Sequence, residues 1–343
     1  MKALRLHAHG GSENITIDEI ADAPAPGRGE IRIAVRAMAL NHMDIWVRNG
    51  MPAIKQSLPF VMGCDVAGDV TDVGDEVDDF APGDRVMLTP MMFCGRCAQC
   101  QAGEQSQCSK FQMRGEHVDG FFSEYTIVGA MSARKIAPHV GYEDAAAFSL
   151  TFLTAWRMLM TRAAVKPGEF VLIHGIGGGV SVSALEICRR VGARAIVTSG
   201  EDWKLERARE LGAFGGFNYK TQDVAKEVFA ATGKAGVDVV IDSVGGSTWP
   251  VSIKTARMGG RIVNCGATAG GNPPADLTRI FWKQLNVLGS TMGNMREFSQ
   301  IARLLDSGDL KPVIDREYPV TQIRAAHERL ESAGQFGKIL LRW

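Results

Sequence analysis

"EFVLIHGIGGGVSVSALEICRRVGARAIVTS", residues 169–199, decides the fold of this chain. A short apolar run, "EFVLIH", ends in a turn that carries Gly175, Gly177, Gly178 and Gly179. A helical stretch, "VSALEICRRVG", and a second apolar run, "RAIVTS", follow. Strand, glycine turn, helix, strand is the repeating unit of a parallel sheet with helices on both faces. The rhythm continues through "DWKLERARELG", "VDVVIDSVGG", "GGRIVNCGA" and "NVLGST", which places a doubly wound α/β domain over residues 151–290. Glycines let the backbone approach a pyrophosphate, and the helix start at Gly179 and Val180 offers free N–H groups and a partial positive charge. A bare glycine turn is often only a tight connection. One that opens a β/α series predicts a dinucleotide site.

Ligands of such sheets sit at the carboxyl ends of the strands. "GATAGG" (266–271), with Gly266 and Ala267, and "GSTMGN" (289–294), with Ser290 and Thr291, are therefore expected at the cofactor. The end of the second strand selects the cofactor. A carboxylate there accepts from the ribose 2′-OH of NAD and repels a 2′-phosphate. Ser199 stands near that place and leaves room for a phosphate, with Lys204 as a counter-charge, while Glu201 argues the other way. The balance favours NADP(H) over NAD(H).

Outside this domain the texture changes. "EIRIAVRAMALN" alternates Ile31, Ile33 and Val35 with Glu30, Arg32 and Arg36, the pattern of a half-buried strand. "VTDVGDEVDDFAPGDRVML" sets Gly, Asp and Pro-Gly-Asp turns between Val-rich runs, as in a small antiparallel barrel. "YEDAAAFSLTFLTAWRMLMTRA" has helical spacing, and the tail from about residue 291 adds two helices and a last strand, "GKILLRW". Residues 1–150 and 291–343 are thus expected to form one domain. Lys+Arg and Asp+Glu both number 38, so no net positive field attracts nucleic acid or an anionic membrane. No apolar run of membrane-spanning length and no leader is read.

"FCGRCAQCQAGEQSQC", residues 93–108, spaces Cys94, Cys97, Cys100 and Cys108 as four thiolates around one tetrahedral zinc. Four thiolates close the shell and leave no position for water or substrate, so one structural Zn2+ is expected. Thiols this dense suit a reducing cytoplasm better than a secreted disulfide framework.

Taken together, "GCDVAGDVTDVGDEV", "PGDRV", the four-cysteine lobe, "LTFLTAW", the glycine turn, "VDVVIDSVGG", "GGRIVNCGA", "LGST" and "FGKILL" resemble the medium-chain dehydrogenase/reductase superfamily along the full length. The resemblance implies a GroES-like β-barrel catalytic domain built from both termini, a Rossmann domain between, and nicotinamide and substrate held in the cleft. It implies that the cysteine lobe is structural. It also implies where a catalytic zinc would find ligands, and here those places read Asn41, Cys64 followed by Asp65, and Leu150. An open zinc site needs three protein ligands, and one soft ligand remains. Met43 stands where zinc enzymes of the family place a relay hydroxyl. Cys64 reads as a small packing residue beside the substrate pocket.

Hydride transfer to a simple ketone builds an alkoxide, which a metal stabilises by several kcal/mol. Transfer to an enone, an enoyl thioester or a quinone spreads the charge, and hydrogen bonds can suffice. Asn41 is the candidate donor to that oxygen; it also reads as the cap of a helix beginning near Met43. Asp44 is expected to orient the site. Met113, Arg114 and His117, in "MRGEHVDGFFSEY", read either as a pocket wall or as a solvated loop. Phe152 and Trp156 share a helix face that lines the pocket or packs the core, and Thr154 is placed by the resemblance against the nicotinamide. His174 reads as structural. The sequence therefore predicts an NADPH-dependent reductase of small molecules with activated C=C bonds or quinones, active as a homodimer or homotetramer. An alcohol dehydrogenase or carbonyl reductase with an atypical site, and a non-enzymatic binding member of the family, are the alternatives.

Overall fold

The computed structural model describes residues 1–51 and 54–343. The chain forms two compact units, one of Met1–Leu150 with Asn294–Trp343 and one of Thr151–Gly293. The first begins with β1 (Lys2–Leu6), β2 (Ile15–Glu19), β3 (Glu30–Ala39), α1 (His42–Asn49), β4 (Phe60–Val61), β5 (Asp65–Val73) and β6 (Arg85–Leu88). It continues with β7 (Met91–Met92), α2 (Ala98–Gln101), β8 (Gln112–Met113), β9 (Tyr125–Gly129), β10 (Ala133–Lys135) and most of α3 (Tyr142–Trp156). The second unit holds β11 (Phe170–Ile173), α4 (Gly179–Val191), β12 (Arg194–Ser199), α5 (Asp202–Glu210), β13 (Gly215–Asn218) and α6 (Val224–Ala231). Its remaining elements are β14 (Val237–Asp242), α7 (Thr248–Thr255), β15 (Ala256–Asn264), α8 (Leu277–Trp282) and β16 (Asn286–Gly289). The chain then re-enters the first unit with α9 (Met295–Asp306), β17 (Ile314–Pro319), α10 (Ile323–Glu331) and β18 (Lys338–Arg342).

The second unit is a parallel sheet of order β13-β12-β11-β14-β15-β16. Leu172, Ile196, Val240 and Ile262, one from each of four adjacent strands, are fully buried on it. Strands covered on both faces read as unbroken apolar runs, which is why these segments carry little alternation. The glycine turn lies between β11 and α4. Gly175 has φ +66° and Gly177 φ +117°, and a Cβ on Gly175 would lie 3.2 Å from Val244 Cγ2. Both backbone conformation and space call for glycine at 175.

The first unit is built on a mixed, mainly antiparallel sheet, β10-β6-β5-β3-β18-β17, with β9 also paired to β3. Ile31, Ile33 and Val35 are buried as their alternation predicts. From Ala37 to Ala39 both faces of β3 are buried, after a register shift between Val35 and Ala37. Asn41, two residues beyond this buried end, is itself buried. β18 lies antiparallel to this same end, Leu340 opposite Ala39, so the last strand of the chain closes on the residues that precede Asn41.

Candidate functional site

Asn41 sits at the N-terminus of α1 in a buried polar corner. Its backbone N–H donates to Asp44 Oδ2 at 2.7 Å, and the Asp44 N–H returns a bond to the Asn41 carbonyl at 2.9 Å. The residue caps the helix, and it also carries its amide into the corner. Lys338 Nζ donates to Asn41 Oδ1 at 2.6 Å and to Asp65 Oδ2 at 2.9 Å. A lysine nitrogen only donates, so the amide orientation is determined: the oxygen faces Lys338 and the NH2 faces away from it. The NH2 donates to Asp65 Oδ2 at 2.9 Å and makes longer contacts to Cys64 Sγ at 3.3 Å and the Ala39 carbonyl at 3.4 Å. Asp65 Oδ1 accepts from the Leu150 N–H at 3.0 Å. The three places read as lost ligand positions, at 41, 64 and 150, are thereby tied together through Asp65 and an ammonium group.

The corner is dry. Asp44, Cys64 and Asp65 have no exposed surface and Lys338 3%. Burial pushes the Asp44 carboxyl up to about 7, and its Oδ1 has no hydrogen-bond partner among the described residues. Burial also pushes the Cys64 thiol well above its ordinary range. Cys64 is thus a neutral packing group beneath the amide. Lys338 was legible only as part of the "FGKILL" motif. The stronger signal is a lysine placed directly before the apolar run Ile339–Leu341 of the final strand, a position where a charge needs a buried partner.

The segment from Met113 to His117 is partly ordered by its own bonds. Met113 is buried, and its N–H donates to His117 Nδ1 at 3.2 Å. Arg114 lies 5.7 Å from the centroid of the Phe121 ring, and its Nη1 approaches the Asp119 carbonyl at 3.5 Å. These contacts order the segment more than a freely solvated loop would be.

The four lobe cysteines gather as their spacing predicts. The sulfurs of Cys94, Cys97, Cys100 and Cys108 all lie within 4.8 Å of one another, and among the described residues they are the one such group of His, Cys, Asp and Glu. The Cys97 N–H donates to Cys94 Sγ at 3.4 Å, and the Lys110 N–H to Cys108 Sγ at 3.3 Å. N–H groups of Arg96 and Cys97 hold the Cys94 thiol down at about 6. Four converging sulfurs, partly wrapped by amide donors, form a donor set that fits a tetrahedral soft metal.

In the second unit, Gly178 caps α4, with Val180 in its first turn. Gly266 is held by Asn264 Nδ2, which donates to its carbonyl at 2.8 Å; Ala267 and Thr291 are exposed. The Ser290 hydroxyl, at the carboxyl end of β16, is buried with no hydrogen-bond partner among the described residues. An orphaned hydroxyl there fits a ligand that would complete it. Phe152 and Thr154 are buried, and Thr154 Oγ1 lies 3.7 Å from Met292 Sδ.

The selector end of β12 departs from the expectation. The Ser199 hydroxyl is buried and accepts from the Glu201 N–H at 3.1 Å. Lys204 is buried on α5, its ammonium 5.3 Å from the Trp203 ring centroid. The exposed cation here is Lys220, which pairs with Glu201 at 2.6 Å. It follows β13 and was not singled out, since strand pairing rather than sequence distance brings it to the end of β12.

Residues 27–138 match the alcohol dehydrogenase GroES-like domain family, and residues 179–307 the zinc-binding dehydrogenase family. The chain is 31% identical to the acryloyl-coenzyme A reductase of Metallosphaera sedula, over 99% of each chain. It is 29% identical to the quinone oxidoreductase of Rattus norvegicus, over 99% of this chain and 97% of that one. A solved NAD-dependent alcohol dehydrogenase superposes with TM-score 0.95 at 39% identity, covering all of both chains.

Proposed function

Since the chain belongs to the medium-chain dehydrogenase/reductase superfamily and is an oxidoreductase of that class, we propose that it is an NADPH-dependent reductase of an enone, an enoyl thioester or a quinone, working without a catalytic metal. The observation that carries this reading is the corner of Asn41, Asp65 and Lys338, where a fixed ammonium and an amide occupy the meeting point of positions 41, 64 and 150. When bound, NADPH supplies hydride to the electrophilic carbon, and the charge spreads toward the carbonyl oxygen. Asn41 is the donor assigned to that oxygen. One of its amide hydrogens is held by Asp65 at 2.9 Å, while the other has only the contacts of 3.3 and 3.4 Å. The loosely held hydrogen is free to improve its geometry on substrate. Lys338 and Asp65 position the amide, Asp44 sets the backbone turn that presents it, and Arg114 suits a substrate bearing a carboxylate or phosphate.

The acryloyl-coenzyme A reductase and the quinone oxidoreductase, both similar over nearly the whole chain, support this substrate class. The alcohol dehydrogenase at 39% identity favours a second reading, oxidation of a simple alcohol. Parallel assays of NADPH oxidation with an enone, a quinone and a ketone separate the two. The proposal expects the first two to react at least a hundredfold faster than the ketone; a ketone reduced as fast as the enone would sink it.

NADPH is preferred because Glu201 is already paired with the exposed Lys220, so its charge does not stand alone against a 2′-phosphate. An exposed pair has little net strength, which leaves Lys220 able to turn to a phosphate. We assign one structural zinc to the cysteine lobe of residues 93–108, residues 1–150 and 291–343 to the catalytic domain, and residues 151–290 to the dinucleotide domain. A homodimer through the β16 edge is the assembly we favour, supported by exposed Leu277, Phe281, Trp282 and Val287.

A further inference from the structure

Behind the glycine turn, four side chains from three adjacent strands and α7 form a continuous buried chain. His174 follows β11, Thr198 lies near the end of β12, Asp242 ends β14, and Ser252 is on α7. All four are at most 2% exposed. His174 Nδ1 lies 3.2 Å from Thr198 Oγ1, and His174 Nε2 lies 3.1 Å from Ser252 Oγ. Ser252 Oγ in turn donates to Asp242 Oδ2 at 2.8 Å, with the Thr248 carbonyl at 3.0 Å as its other acceptor. The Gly175 N–H donates to Thr198 Oγ1 at 3.3 Å.

Proton accounting leaves one arrangement. The Ser252 hydroxyl has a single hydrogen, and both its acceptors are oxygens without a proton to give, so its oxygen must accept from His174 Nε2–H. The neutral ring then carries its lone pair at Nδ1, which must accept from the Thr198 hydroxyl. That leaves the Thr198 oxygen turned to the Gly175 amide. Burial keeps the His174 ring below its ordinary titration range, consistent with a neutral imidazole. The far end of the chain is anchored as well: Asp242 Oδ1 accepts from the N–H groups of Val244 and Gly245, both at 2.9 Å. One circuit therefore holds the turn after β11 and the turn after β14.

We propose that His174 is a positioning residue for the dinucleotide, fixing through Thr198 the Gly175 amide and hence the backbone of the glycine turn on which the phosphates rest. This rests on the reading of that turn as the dinucleotide site. Serine, histidine and carboxylate here are not a hydrolytic triad, because the serine is fully buried and spends its proton inward.

The test is a double-mutant cycle read as the Kd for NADPH, with thermal melting of the unliganded protein as control. Thr198→Val removes the hydroxyl at nearly constant volume, and His174→Phe removes both ring nitrogens. Each is expected to weaken NADPH by about tenfold, the scale of one hydrogen bond. The double variant is expected to be no weaker than the worse single one, since both break the same circuit. His174→Asn, which keeps an acceptor near the Nδ1 position, should recover most of the affinity; His174→Gln, which keeps only the Nε2 side, should not. Independent, multiplying losses in the double variant would overturn the proposal, as would unchanged affinity in a folded Thr198→Val protein. If His174→Phe fails to fold, the Thr198→Val and His174→Asn arms still decide. Wild-type protein that binds neither NADPH nor NADH would instead remove the reading of the turn. In that case imidazole 15N shifts and hydrogen exchange at the Gly175 amide still report the circuit: an Nδ1–H tautomer, or exchange unaltered by Thr198→Val, would refute it.

Discussion

Asn41 caps α1 with its backbone and turns its side chain into the buried corner. Capping α1 uses the backbone, so the amide is left for Lys338 and Asp65, and for the substrate oxygen in the proposed reaction. Asn41→Ala should lower turnover roughly ten- to a thousandfold if the amide acts as an oxyanion donor, measured as kcat with an enone. Lys338 is the residue on which the corner depends. Lys338→Met leaves Asp65 buried without its cation and should cost about 3–5 kcal/mol of unfolding free energy in denaturant titrations. Adding Asp65→Asn should restore most of that loss, because the uncompensated charge is what destabilises. Asp44 supplies a pH signature. Its folded carboxyl is raised to about 7 from 3.8 by burial, so the group contributes its full stability below about 4 and loses it as pH rises through about 7. The loss is on the order of 4 kcal/mol. Asp44→Asn does not titrate, and its stability should therefore gain on the wild type between pH 4 and 7, then run parallel to it. A constant difference across that range would mean that Asp44 is ionised throughout.

Among the elements, legibility followed the range of the interactions that form them. The β/α series of the second unit was readable because each strand and helix is specified by local apolar pattern and by glycines at its turns. The cysteine lobe was readable for the same reason, with all four converging cysteines inside residues 94–108. Metal analysis of protein purified without added zinc should find one zinc per chain, and Cys100→Ser should lower both the zinc content and the melting temperature. Two zincs per chain would contradict the account of the corner, and none would contradict that of the lobe. β3 was only half legible, since its inner end is buried on both faces and pairs at its edge with β18, which lies some 300 residues away in sequence. That same pairing brings Lys338 to Asn41, so the central contact of the site could not be read from spacing. Lys220 was missed for a related reason: the β12–β13 pairing carries it to Glu201. Glu201→Ser should raise the preference for NADPH over NADH, and Lys220→Ala should lower it by about tenfold, or about 1.4 kcal/mol.

For the whole molecule, formal charge is balanced and no helix among the described residues is long and apolar enough to cross a membrane. Four exposed apolar side chains cluster on α8 and β16, with Phe281 63% and Trp282 74% exposed. β16 ends the sheet, and its outer edge is where the proposed dimer would pair. Light scattering should find a dimer or tetramer, and Val287→Lys with Trp282→Glu should shift it to a smaller species without unfolding it. The central claim concerns chemistry, and one experiment addresses it directly: initial rates of NADPH-dependent enone reduction and of NADP+-dependent oxidation of a primary alcohol, before and after treatment with a chelator strong enough to strip accessible zinc, on protein shown to remain folded. The account predicts an enone rate unchanged by the chelator and little alcohol oxidation under either condition. Fast alcohol oxidation that the chelator abolishes would contradict it.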